Sequence, residues 1–143
     1  MAIKFKLQKL LDIRIKEEDE SKILYGKAQN QKALVEKKLR DLEEDYNNHR
    51  DITRFEDIVS QKIAFNYLDS ILQAIEKAKL EIEKEEKNVL KTKQDFIEKQ
   101  IKRKSLETLK ENQAEKIKKE EERIEAINND EFALYAYIRN REE

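Results

Sequence analysis

His49 is the single histidine of the 143-residue chain, and Asp45 stands four residues before it. At that spacing the two side chains share a helix face, the start of an imidazole–carboxylate metal site. Two ligands do not make such a site, and no cysteine exists to extend it. Asn47, Asn48 and Asp51 beside them favour turns, so a solvated turn histidine is expected. Carboxylates cluster at 17–19 (EED) and 118–123 (KKEEER), the residue type of acid–base catalysis. On an exposed helix nothing desolvates them, and they read as solvated faces. Gly26 is the only glycine, so no glycine-rich loop can cradle a phosphate. Lys102, Arg103 and Lys104 form a basic cluster flanked by Glu98 and Glu107. The chain's 31 basic and 32 acidic residues argue against a nucleic-acid binder, which must neutralise phosphates. Phe132, Tyr135 and Tyr137 make the C-terminal end rich in aromatics, fit either to pack at that end or to bind a partner. No enzyme and no cofactor are expected; function should lie in helical surface.

The elements that carry this surface follow from composition. Charged residues make up 44% of the chain against 38% hydrophobic, with no proline. Such a charge load with few aromatics can mean disorder. Here Leu, Ile, Lys and Glu dominate instead, which points to long helices or a coiled coil. Too few large side chains exist for a compact core.

Steps of four and three test for a helix–helix seam. From Leu7 the series runs Leu11, Arg14, Glu18, Ser21, Tyr25, Ala28, Lys32, Val35, Leu39, Leu42, Tyr46 and His49, mostly apolar. That 3.5-residue repeat is what two supercoiled helices need. Lys32 can lay its stem along the partner helix and keep its ammonium in water. A second series runs from Ala64 through Leu68, Ile71, Ile75, Ala78, Ile82, Glu85, Val89, Thr92 and Phe96 towards Ile117, Ile124, Leu134 and Ile138. Between Phe96 and Ile117 only Leu106 fits. Either a local shift brings Ile101 and Leu109 inward, or that stretch packs weakly and waits for another protein.

The two series are out of phase, which places a reversal near 48–53. Thr53 to Glu56 (TRFE) has the form of a capping box and should start the second helix. The expected fold is all-α: one domain over 1–143, with two long helices in an antiparallel coiled-coil hairpin. Helix 1 covers about 3–48, an irregular turn 49–56, and the longer helix 2 57–140. At ~1.5 Å per residue the helices measure about 70 and 125 Å, so the last third of helix 2 lacks a partner within the chain. Gly26 inside helix 1 costs about 1 kcal/mol, and close approach of the partner helix is the expected reason. The N-terminus lacks a signal peptide's apolar core, and no run approaches the roughly 20 apolar residues of a membrane span. A cytoplasmic protein is the default.

Three stretches carry a resemblance: FKLQKLLDIRIKEEDESKILYGKAQ, YLDSILQAIEKAKLEI and SLETLKENQAEKIKKEEERIEAINNDEFA. With a Phe-x-Leu-x-x-Leu-Leu opening, Leu-Lys-Glu at 109–111 and an Asp-Glu-Phe ending, the chain resembles the flagellar FliJ family over almost its full length. The resemblance implies a non-catalytic part of the flagellar type III protein export apparatus, an antiparallel two-helix coiled coil like the stalk of rotary ATPases. It implies three partners: the hexameric flagellar export ATPase, whose assembly it promotes, a membrane-embedded export gate protein, and export chaperones. Neither nucleic acid nor direct membrane insertion is implied. The location is the cytoplasmic face of the membrane at the flagellar base, in the service of motility.

The family's gate contact is an apolar stripe early in helix 2. Carried over, it falls on Tyr67, Ile71, Ala74 and Ala78, which share one helix face. Ile71 and Ala78 also belong to the seam, and one residue cannot be fully buried in both surfaces. For the ATPase the rotor-like geometry points to Leu7, Leu11 and Arg14 with Ile124 and Phe132, while Lys4, Lys6, Lys9, Arg14 and Lys16 steer docking onto acidic loops. The rival readings are a generic structural coiled coil or homodimer without a secretion role, and a nucleic-acid-binding arm.

Overall fold

Good helix formers without an internal proline give two helices, joined by one short break. The computed structural model describes residues 5–142, and the side chain of Glu142 is not among what it describes. Helix α1 spans Gln8–His49 (42 residues) and helix α2 spans Ile58–Glu142 (85 residues). The described residues contain no strand. Ile3 and Lys4, which open the expected helix 1 and its basic series, lie outside the described residues.

The reversal is built from side chains rather than from glycine or proline. A 3-10 turn, Ile52–Arg54, follows α1. Asp51 caps it, its Oδ1 accepting from the Thr53 N–H at 3.1 Å and from the Thr53 hydroxyl. That engagement undoes the expected capping box, because Thr53 is already committed backwards to Asp51. Helix α2 begins four residues later, where Asp57 accepts from the Val59 N–H (3.3 Å) and the Ser60 hydroxyl (3.3 Å). Gln61 closes the turn by donating from Nε2 to the Phe55 carbonyl at 2.6 Å.

The chain divides into two compact units. The larger holds residues 17–99 and therefore the reversal. Its helices run antiparallel, as their bridges show: Tyr25 stacks on Phe96 at 6.2 Å between centroids, Lys32 reaches Glu86 at 4.0 Å, Lys38 reaches Glu81 at 4.0 Å, and Tyr67 donates to Asp45 at 2.7 Å. Between the helices lie Ala28, Val35, Leu68, Ile71, Ile75 and Ala78, all buried members of the two seams. Ser21 is buried as well, and its hydroxyl donates to the carbonyls of Glu17 and Glu18, so it brings no unmet hydrogen bond into the seam. Lys32 keeps its ammonium between Glu36 and Glu86 at the seam's edge. These exposed ion pairs add little stability, about 0–1 kcal/mol each; the apolar seam carries the pairing.

Gly26 has no close neighbour. A Cβ built on it meets nothing within 4 Å, so close approach by α2 does not explain it.

The smaller unit joins residues 1–16 to residues 100–143. Here the seam thins. Among its described residues only Phe5 and Leu11 are buried, and Lys110 donates to Gln8 Oε1 at 2.7 Å across the pair. No register shift occurs: Ile101 and Leu109 stay 57% and 48% exposed, while Leu106 remains half-buried in the seam. Arg103 pairs with Glu107 at 2.7 Å along α2. The stretch packs weakly because, apart from Leu106, its seam positions are Lys99, Arg103, Lys110 and Gln113. Past Ile117 every described side chain of α2 is exposed, as the absence of a facing helix requires.

Candidate docking surfaces

The one histidine is committed to its own helix end. His49 Nδ1 lies 2.9 Å from the Asp45 carbonyl and 3.0 Å from Asp45 Oδ1. Both neighbours accept, so Nδ1 carries a proton. Tyr67, from the facing helix, donates to Asp45 Oδ2 and meets the His49 ring edge-on at 5.5 Å and 79°. The hydrogen bond to the Asp45 carboxylate holds the Tyr67 hydroxyl above its ordinary pKa. Three side chains thus clasp the two helices beside the reversal. Among the described residues no group of three His, Asp or Glu side chains could hold a metal ion.

Beside this clasp lies an open groove of about 370 Å³ lined by His49, Arg54, Phe55, Ser60, Ile63, Ala64 and Tyr67. The Arg54 guanidinium sits 5.4 Å over the Phe55 ring. Ile58, Val59 and Phe65 are exposed nearby on α2. The sequence reading missed this apolar rim because these residues fall outside the seam series. Its signal was there to find: large apolar side chains at positions that the 4–3 spacing leaves unburied.

The four residues of the expected gate stripe divide. Tyr67 is exposed and Ala74 half-buried, but Ile71 and Ala78 are only 5% and 1% exposed, inside the helix pair. While α1 and α2 stay paired, a partner can reach the first two and not the last two.

The five residues expected to meet the ATPase divide likewise. Leu11 is 3% exposed against α2, where Gln8, Ile15, Glu107, Lys110, Glu111 and Ala114 line the same groove. Leu7 and Arg14 flank it, Leu7 exposed and Arg14 half-buried. Ile124 and Phe132 are exposed, Phe132 at 77%, on the part of α2 that no described residue covers. From the level of Lys110 to Phe132 the helix rises about 33 Å, so the five do not form one patch. Around Phe132, an open groove of about 430 Å³ is lined by Asn128, Glu131, Tyr135, Ala136 and Arg139.

Among the described residues no helix is long and apolar enough to cross a membrane. No curated protein and no solved structure matches the chain significantly. One family model does match, that of the flagellar FliJ protein, over residues 3–142.

Proposed function

Because the chain belongs to the flagellar FliJ family and so is a component of the flagellar protein export apparatus, we propose that it acts there as a non-catalytic docking element. Its first partner is the flagellar export ATPase, whose ring assembly and activity it promotes. It also contacts the cytoplasmic part of the export gate protein and escorts export chaperones, at the cytoplasmic face of the membrane.

The observation that supports this reading is the uncovered length of α2. Ile124, Ile127, Phe132, Leu134, Tyr135 and Ile138 are large apolar side chains left in water. Helices gain most of their stability from a packed face, and this one has no cover among the described residues. Aromatic anchors of this kind carry much of the affinity in protein interfaces.

Ile124→Asp together with Phe132→Asp tests it. Both side chains are exposed, so the paired helices stay folded. Stimulation of the cognate ATPase should be lost, and full stimulation would refute the choice of surface. For the gate contact, the accessible members Tyr67 and Ala74 are the ones to change. Tyr67→Ala with Ala74→Glu should weaken gate binding; unchanged affinity would move that contact elsewhere. Ile71→Ala is a poorer probe, because it should first cost about 2–4 kcal/mol of fold stability.

A further inference from the structure

The basic cluster at 102–104 belongs to a longer charged stretch of α2. Residues 87–104 carry seven basic side chains and two acidic ones, Asp95 and Glu98, in a chain whose net charge is −1. Leu90, Ile97 and Ile101 follow at steps of seven and four and make one stripe, well round the helix from the seam positions Val89, Phe96 and Arg103. All three are exposed, Ile101 at 57%, and Gln94 lies between the first two. Lys87, Lys91 and Lys102 flank the stripe on one side, Lys93 and Lys104 on the other. These five lysines are exposed, and no ion pair among the described residues engages them. Against them the face holds Glu98, with Asp95 half-buried at its margin. Further along, α2 carries the opposite pattern. Residues 120–131 hold six acidic side chains and one basic, Arg123, which pairs with Glu120. Ile124, Ile127 and Leu134 form an exposed stripe at steps of three and seven, with Glu131 between the last two. Glu121 and Glu125 flank it on one side and Asp130 on the other.

We propose that the basic face of one chain takes the acidic end of α2 from a second copy. Run antiparallel, the two stripes match to within one residue: steps of seven and four meet steps of seven and three. Leu90 then faces Leu134, Gln94 faces Glu131, Ile97 faces Ile127, and Ile101 faces Ile124. The same register brings Lys102 to Glu121 and Lys93 to Asp130, while Glu98, the acid on the basic face, meets Asn128. The aliphatic side chains pack between the helices, and the charges at the rim set register and speed encounter. Gln94 favours a helix over a lipid sheet as the occupant. Helices that lie in a membrane interface keep that side apolar, whereas the Gln94 amide opposite Glu131 has an acceptor for its N–H groups. The contact joins unlike surfaces, so it does not have to close at two copies. It needs no other protein, so it stands or falls apart from the function proposed above.

The test is sedimentation velocity of the full chain from micromolar to near-millimolar concentration, at low and high salt. Single chains should dominate when dilute, larger species should grow in with concentration, and salt should disperse them. Lys93→Glu with Lys102→Glu should weaken the association about tenfold, and Glu121→Lys with Asp130→Lys should do the same. An equimolar mixture of these two variants should associate again, because the face of each now matches the end of the other. Ile97→Ser should weaken the contact without touching its charges, and Lys22→Ala with Lys27→Ala should leave it unchanged. Circular dichroism checks that each variant keeps its helices. Single chains at every concentration in low salt overturn the proposal and leave the lysines to another acidic molecule. Association that survives either charge reversal, or a mixture that stays dispersed, overturns it as well.

Discussion

At the residue scale, Gly26 and Asp51 have measurable consequences. A methyl group at position 26 meets open space, and the residue sits in the interior of α1. Gly26→Ala should therefore stabilise the chain by about 1 kcal/mol through helix propensity, read as a higher Tm. A fall in Tm would mean that the position needs glycine for something other than room. Asp51 holds its carboxyl below the ordinary aspartate pKa through the Thr53 hydroxyl and N–H, with Arg54 assisting. A folded pKa below the unfolded one gives stabilisation that is complete above about pH 3.9 and lost as pH falls through the lowered value. The Thr53 amide resonance should titrate with its midpoint below that ordinary value, and Asp51→Asn should abolish the titration. Sequence reading found the turn residues but joined Thr53 to the wrong partner. Spacing alone cannot say whether a threonine caps forwards or is itself held from behind.

At the element scale, the 4–3 spacing made the paired helices legible. The seam residues from Leu11 to Tyr46, and from Leu68 to Leu106, are buried or half-buried where that spacing puts them. A helix seam is a local repeat read many times over, so single polar members such as Lys32 or Ser21 do not erase it. What the repeat could not reveal is anything set by two helices together. The Asp45–His49–Tyr67 clasp needs the rotation of α2 against α1, and the sequence gives only the Asp45–His49 half. The docking residues were legible as residue types but not as accessible ones, because the stripe carried over from the family crosses the seam. Stability should also vary along α2. Amides around Leu68–Ile82, beneath the densest seam, should exchange slowest. Those beyond Ile117 should exchange orders of magnitude faster in native-state hydrogen exchange. Uniform protection along α2 would mean that a second molecule covers its end.

At the scale of the whole molecule, α1 and α2 pair with each other across the reversal, so the hairpin reading expects the 17.2 kDa chain mass in light scattering of the dilute protein, and a stable dimer would argue for the scaffold reading. The reversal between α1 and α2 contains no proline, no glycine and no residue with positive φ. Nothing in it waits on a peptide bond to swing between isomers, a step that takes tens of seconds when proline is involved. Refolding from denaturant should therefore finish without a slow phase on that timescale, leaving a freshly synthesised chain ready for its partners almost as soon as it emerges.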